Sequence, residues 1–469
     1  RLDAVTFHPA WHEIMRLAVA AGVHSRPWTD PRPGAQAARG ALVHLHAQAE
    51  NGTQCPLTMT YASVPVLRRA APAIAEEWLA KALGRDYDPR DLPIGAKRAA
   101  LIGMGMTERQ GGSDVRSNRT RATPDADGAV RLTGHKWFFS APQCDAHLVL
   151  AQDATGLTCH LLPRRLPDGS RNAVRINRLK DKLGNRSNAS AEVELDGAVG
   201  WAVGEPGRGI ATILEMVQHT RLDCVLGTAG MMRAAVARAI HHARHRVAFG
   251  RALDAQPLMT EVLADLALES EAATALALRL ARAYDAPEGH ADRALARLLT
   301  PAAKYWVCKR GPALAAEAME VLGGNGYVED SGLPRLYREM PVNSIWEGSG
   351  NVMCLDVVRA AQREPDAVVA LGDLLASARG ENAAFDAFAA ALVMQLTDLG
   401  DDVAVARHLA QGIATAAAGA ILLRGAPTPV AAAYCASRLS PHAFGGATFG
   451  ARPAAHGAAA AIVARALPG

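Results

Sequence analysis

The segment NSIWEGSGNVM, residues 343–353, carries one carboxylate, Glu347, between Trp346 and a Gly348-Ser349-Gly350 turn. Glycine on both sides of Ser349 lets backbone approach a ligand closely. Beyond the turn, NVMCLDVVRAAQ reads as an amphipathic helix, whose start offers free N–H groups and a positive dipole end. Two readings stand: a solvated residue in a helix-entry loop, or a base aimed at a ligand. A carboxylate takes a weakly acidic C–H proton when a dry pocket raises its pKa toward the working pH. A second group is GMGMTERQGGSDV, residues 103–115, with hydroxyls and a Gly-Gly pair, a polar loop by composition. In GHKWFFSAPQ (134–143), strand alternation sends Phe138 and Ser140 to one face. That pair could pack a core, or flank a flat heteroaromatic ring and hydrogen-bond to its nitrogen.

These groups need elements to position them, and the chain changes texture along its length. Helical periodicity runs from residue 1 to about 103 in AWHEIMRLAVAAG, AARGALVHLHAQAENG and VPVLRRAAPAIAEEWLAKAL. From 104 to 200 short β-branched or alternating runs separated by turn residues predict an antiparallel β domain. Long helical patterns return over 201–363, and 364–469 is an alanine-rich helical section broken at RGAPTPV. Helix, β, then helix argues against a doubly wound α/β fold, in which strands and helices alternate. No GxGxxG follows a strand and no GxxxxGK[ST] occurs, so Rossmann and P-loop readings are poor. The fold class expected is α+β, mostly α.

At 469 residues the chain exceeds one core. Apolar residues at 49% and charged residues at 20% are ordinary for a globular protein. The seven cysteines stand singly with no CxxC, which argues for reduced thiols and against a zinc site; no metal is expected. No run is apolar and long enough for a membrane span, there is no signal peptide, and a cytoplasmic location is expected. The net charge of +4 implies no nucleic acid by itself. Locally, 162–186 holds Arg164, Arg165, Arg171, Arg175, Arg178, Lys180, Lys182 and Arg186 against Asp168 and Asp181. The stretch 238–251 adds Arg238, Arg244, Arg246 and Arg251. Such clusters suit phosphates, of DNA or of a cofactor alike.

MTERQGGSD, GHKWFFS, KLGNRSNASAEVEL, VGEPGRG, RVAFG, EVLGGNGY and WEGSGN occur in the order and spacing of the acyl-CoA dehydrogenase family. The chain resembles that family strongly over 1 to about 363 and weakly beyond. GMGMTERQGGSDVRSN, KDKLGNRSNAS and RLYREMPVNSIWEGSGN are more similar to its bacterial branch of DNA-alkylation-response flavoproteins. The resemblance implies an N-terminal helical domain (1–103), a β domain (104–200), a helical bundle (201–363) and a helical C-terminal extension (364–469). Arg1 falls well inside that branch's proteins, so an N-terminal segment is expected to be missing.

FAD is the implied cofactor. Met106, Thr107, Glu108, Gly112 and Ser113 match the loop that lines the flavin and the pyrophosphate. Phe138, with Phe139 beside it, stands where the family carries an aromatic over the isoalloxazine, and Ser140 where a hydroxyl reaches N5. Arg246, Phe249, Gln256, Gly323 and Gly324 match positions that hold the adenine half from a neighbouring protomer. Trp346, Gly348, Ser349 and Asn351 match the segment closing on the flavin, with Glu347 as the base that removes the α-proton of an acyl-CoA. The implied assembly is a homotetramer, a dimer of dimers.

Because EMPVNS replaces the family's usual run before the motif, a restricted acyl pocket and weak turnover are expected. Duplex DNA is the second implied partner, assigned in that branch mainly to the C-terminal domain. Here 364–469 holds six arginines, no lysine and eight acidic residues, a mildly negative balance that argues against it. Two alternatives remain at this level: a DNA-protective flavoprotein without turnover, or an ordinary short- or branched-chain acyl-CoA dehydrogenase that ignores DNA.

Overall fold

The computed structural model describes residues 3–400, 403–440 and 458–467. Two compact units divide it: residues 1–35 with 50–223, and 36–49 with 224–469. The first unit begins with α1 (Pro9–Ala21) and α2 (Arg26–Thr29). Helix α3 (Ala35–Ala49) follows, and α4 (Gln54–Leu67) and α5 (Pro72–Ala82) return to the first unit. Local sequence sets the ends of α1: Pro9 opens it, the His8 ring accepts from the Ala10 N–H, and Gly22 closes it at φ 75°.

The β region comprises β1 (Ile102–Gly105), β2 (Arg121–Pro124), β3 (Val130–Ser140), β4 (Ala146–Asp153), β5 (Gly156–Pro163), β6 (Val174–Leu179) and β7 (Ser190–Val203). Neighbours run β1-β4-β2-β3-β7-β5, and β5 pairs back onto β4. Five strands therefore close a small barrel, with β1 added on β4 and β6 on β7, and closure leaves few exposed edges. The pairing is antiparallel except that β4 meets β1 and β2 in parallel. Inward residues such as Leu132, Phe139, Val149, Leu162, Val193 and Leu195 fill the interior.

Strand β3 is irregular near its end. Lys136 pairs with Val193 but Phe139 pairs with Ala191, so β3 carries an extra residue across Trp137 and Phe138. Such a bulge re-aims side chains. Lys136 and Phe139 are buried, while Phe138 is 49% exposed.

The second unit is helical. Helix α6 (Gly209–His245), whose residues from 224 on belong to this unit, leads into a hairpin of β8 (Val247–Ala248) and β9 (Arg251–Ala252), then α7 (Pro257–Ala283), α8 (Ala291–Val321), α9 (Leu333–Glu339) and α10 (Gly350–Arg363). Helix α3 is counted here for a steric reason. A Cβ at Gly230 of α6 would lie 2.3 Å from the His44 carbonyl, a crossing that only glycine permits.

The extension adds α11 (Pro365–Ala376), α12 (Ala383–Thr397), α13 (Ala406–Gly425), α14 (Thr428–Tyr434) and α15 (Ala458–Ala466). Helices α11 and α13 pack on α8, and α15 on α7. Buried Arg438 reaches Asp265 at 2.6 Å and Glu269 at 2.9 Å on α7, and Arg310 of α8 meets the same Glu269 at 3.2 Å. No helix among the described residues is long and apolar enough to cross a membrane. The mostly helical α+β layout is the one read from the sequence.

Candidate active site

The sequence-predicted residues fall on both units, and each unit's share is built differently. In the first unit the loop 106–113 lies along β3. The Thr107 carbonyl accepts from Trp137 N–H at 2.8 Å, the donor that the bulge frees from the β7 ladder. Glu108 and Lys136, both fully buried, form an ion pair at 2.9 Å. Arg109 N–H donates to His135 Nε2 at 3.0 Å. Glu108 also accepts from Thr120 Oγ1 at 2.6 Å, Arg119 N at 2.7 Å, Gln110 Nε2 at 2.8 Å and Thr120 N at 3.1 Å. Burial alone would raise its pKa, but Lys136 and the surrounding donors outweigh that and bring it down to about 2. Burial shifts Lys136 downward, against the pull of Glu108.

Two expectations are corrected by this geometry. The Glu108 side chain does not line a ligand surface: its oxygens are saturated from within the chain. Phe139 does not face a cofactor either. It is 2% exposed, sits in the barrel core and stacks on His147 with ring centroids 3.8 Å apart.

Phe138, Ser140, Thr107, Gly112 and Ser113 remain at least partly accessible. The Ser140 hydroxyl has no partner among the described residues, whereas its carbonyl accepts from the His147 ring at 3.2 Å. A Cβ at Gly112 would lie 2.5 Å from Thr107 Oγ1, so the loop needs glycine there to fold back on itself. Lys180 stands 3.9 Å from the Trp137 ring centre and 4.4 Å from that of Phe138, with its ammonium also 2.7 Å from Glu192. An exposed aromatic face beside an unpaired hydroxyl fits a flat heteroaromatic group such as isoalloxazine.

In the second unit the chain runs through a short 3-10 turn, Met340–Ser344, bends at 345–349, and enters α10 at Gly350. Glu347 sits in the bend at φ 58° and Gly348 at φ 97°. The left-handed region is unfavourable for a side chain with a Cβ, by about 1–3 kcal/mol. Lys304, 1% exposed, donates to the Gly348 carbonyl at 2.7 Å and fastens the bend to α8. The Trp346 indole N–H is buried with no partner among the described residues. Ser349 takes the N-cap position of α10 without a side-chain cap bond. Asn351 is exposed on the first turn, and its Oδ1 accepts from Arg407 at 2.9 Å.

Three of the adenine-side residues, Arg246, Phe249 and Gln256, lie at or next to the β8–β9 hairpin. Phe249 occupies its tip at φ 53° and is 97% exposed, and the Arg246 guanidinium has no partner among the described residues. Gln256 donates to the Ala248 carbonyl at 2.9 Å, bracing the hairpin. Gly323 and Gly324 are exposed, and a Cβ at either would meet nothing within 4 Å. An open glycine turn and an uncommitted guanidinium fit a pyrophosphate-bearing ligand.

Family models match along the chain: the Adaptive response protein AidB N-terminal domain over 1–89, the acyl-CoA dehydrogenase middle domain over 103–198 and its C-terminal domain over 207–362. AidB of Escherichia coli (strain K12) is 52% identical over 436 residues, covering 93% of this chain and 80% of that protein. The chain belongs to the acyl-CoA dehydrogenase family, in its AidB branch. ACDH-11 of Caenorhabditis elegans, solved in complex with C11-CoA, superposes with a TM-score of 0.84 at 28% identity, over 100% of this chain and 80% of that one. A Mycobacterium smegmatis glutaryl-CoA dehydrogenase, solved with FADH2, shares the fold at 21% identity and a TM-score of 0.63, over 74% of this chain and 86% of that one. The family is FAD-dependent, and the chain is an FAD-dependent oxidoreductase.

Sequence reasoning missed Lys136, Thr120 and Lys304, and read Lys180 only as part of a basic cluster, not as the neighbour of Trp137 and Phe138. Lysines usually stay exposed, so nothing in the local pattern marks the buried ammoniums of Lys136 and Lys304. The only usable signal is that alternation puts Lys136 on the same inward face as Leu132. The arginine-rich stretch 162–186 is also corrected. Arg164, Arg165 and Arg171 all converge on Asp91, Arg175 pairs with Asp196, and Arg178 with Glu192. In the extension, Arg424, Arg438 and Arg465 pair with Glu381, Asp265 with Glu269, and Glu271. Arg452 lies outside the described residues.

Proposed function

We propose that the chain dehydrogenates an acyl-CoA-like thioester, with Glu347 as the base that removes the α-proton. The observation that carries the reading is the Glu347 bend: a carboxylate held in the left-handed region, flanked by glycine and anchored by a buried lysine. Strain of this kind persists where surrounding contacts over-determine it, and it clusters at functional sites. The α-C–H bond breaks and its proton passes to the Glu347 carboxylate. FAD, when bound, supplies the acceptor for the β-hydride. Phe138 offers the ring a face, the Ser140 hydroxyl offers its nitrogen a hydrogen bond, and Trp346 helps keep water from the carboxylate. The EMPVNS run restricts the acyl pocket, so turnover is weak and favours short or branched acyl groups. The test is an anaerobic titration of the purified flavoprotein with a panel of acyl-CoAs. Bleaching of the flavin band by at least one of them supports the reading, and a flavin that no member reduces rejects it.

FAD is shared between protomers in this reading, with Arg246, Phe249, Gln256, Gly323 and Gly324 serving a neighbour's adenine half. Phe249, 97% exposed, and Leu258, 86% exposed, are large apolar side chains open to solvent, which supports cover by a second copy. The assembly is a homotetramer, a dimer of dimers. Arg246→Ala should release flavin and loosen the oligomer together, read by sizing and absorbance. Full FAD occupancy in a well-behaved Arg246→Ala monomer contradicts the shared site.

Duplex DNA, and with it a role in the alkylation response, is the second reading. What favours it is the set Arg244, Arg246 and Arg251, which lack ion-pair partners among the described residues, unlike the arginines of 162–186 and Arg424, Arg438 and Arg465 of the extension. Phosphate contacts release counterions, so affinity should fall steeply with salt. Reversing Arg244 and Arg251 to Glu should remove binding, while reversing Arg164 and Arg165 should leave it within about twofold. No binding at low salt removes the DNA reading.

A further inference from the structure

Three consecutive residues of the 106–113 loop meet three consecutive residues of β3 in antiparallel order. Thr107 meets Trp137, Glu108 meets Lys136, and Arg109 meets His135, at 2.8, 2.9 and 3.0 Å. We infer that the buried Glu108–Lys136 pair is a register lock, a positioning device that sets where the flavin-facing groups of loop and strand stand relative to each other. The inference rests on the FAD reading of Phe138, Ser140 and Thr107.

Apolar residues of similar volume often replace a buried ion pair with no loss of stability, and the best-attested use of such a pair is to specify register. The local geometry needs one. Trp137 N–H points away from the ladder because of the bulge, and its bond to the Thr107 carbonyl would be met equally well by the carbonyl of a neighbouring loop residue. A slip by one residue would carry Thr107 away from Phe138 and Ser140. Only the central pair makes the register unique, because a slipped loop would leave both charges buried and unpaired.

The remaining contacts bind the lock to the barrel and to the adjoining turn. Lys136 Nζ also donates to the Leu150 carbonyl of β4 at 2.8 Å, and Asn118 Nδ2 donates to the Met106 carbonyl at 2.9 Å. The loop's position is therefore fixed from within the first unit.

The test uses the full chain, as purified and stripped of FAD. Glu108→Gln and Lys136→Met alone should lower thermal stability, because each strands the other partner. The paired variant Glu108→Leu/Lys136→Met strands no buried charge but leaves the Arg119, Thr120 and Gln110 donors without their acceptor, so it should regain only part of that stability. It should also bind FAD at least about tenfold more weakly and shift its visible bands, since register stays unspecified. A paired variant with parental FAD affinity and spectrum overturns the inference. If that variant does not fold, amide exchange on the unmodified protein decides. Trp137, Arg119 and Thr120 amides should be protected before FAD is added and little changed after. Exchange that slows only on adding FAD overturns the lock. A parent chain with no affinity for FAD sinks the FAD reading instead, while the exchange result still reports on the lock.

Discussion

The loop at 106–113 and the bend at 345–349 are both short, glycine-bearing and polar, yet they are held in opposite ways. In the loop every oxygen of Glu108 is occupied, by a buried lysine, a hydroxyl, a side-chain amide and two backbone amides. In the bend a carboxylate of similar sequence context sits in an unfavourable backbone region, secured next door by one bond from Lys304 to Gly348. Two glutamates, each followed within a few residues by glycines, are thus held by different means. A carboxylate saturated by buried donors fixes geometry, whereas the proposed base has to meet the proton of its substrate.

Removing the base should produce the largest effect. Glu347→Gln nearly preserves shape, so FAD should stay bound, while flavin reduction by an acyl-CoA should slow by about 10²–10⁴-fold, the usual contribution of a general base. Stopped-flow absorbance checks it. The next effect concerns the fastening of the bend. Lys304→Met should keep FAD and the fold but slow reduction by about tenfold, because roughly an ångström of misplacement can cost up to 10²-fold. Unchanged kinetics would mean that the left-handed bend holds itself.

The smallest effect concerns the first unit and acid. Glu108, near 4.5 when unfolded, is held at about 2 when folded, so its share of stability is complete above the unfolded value and is lost as pH falls toward 2. Burial, chiefly, pushes the His147 ring from 6.5 to about 3, so the fold resists protonating it, and stability present above 6.5 falls as pH drops through that window. Melting temperature should decline from pH 6.5 to 3, and more gently below 4.5 in the paired Glu108→Leu/Lys136→Met variant. Equal slopes would contradict the assignment for Glu108.

Much of this was legible in the chain itself. The order helix, β, helix follows from periodicity, and the WEGSGN turn before an amphipathic run marks the entry to α10. Alternation put Phe138 and Ser140 on one face, and the bulge happens to preserve that pairing while turning it outward. What stayed hidden depends on contacts distant in sequence. Glu108 read as a loop residue because Lys136, its partner, lies 28 positions on. The arginines of 162–186 read as a free basic patch because Asp91, which gathers three of them, lies more than 70 positions earlier. Composition counts charges; only the fold tells which are spent.

The most direct measurement of Glu347 as a base separates proton removal from electron transfer. Holoprotein incubated anaerobically in heavy water with a short-chain acyl-CoA should wash deuterium into the α-position, monitored by NMR of the recovered thioester. The parent is expected to exchange, and Glu347→Gln, with FAD bound, to show no exchange above the uncatalysed rate. A Gln variant that exchanges the α-proton as fast as the parent would contradict the assignment of Glu347 as the base.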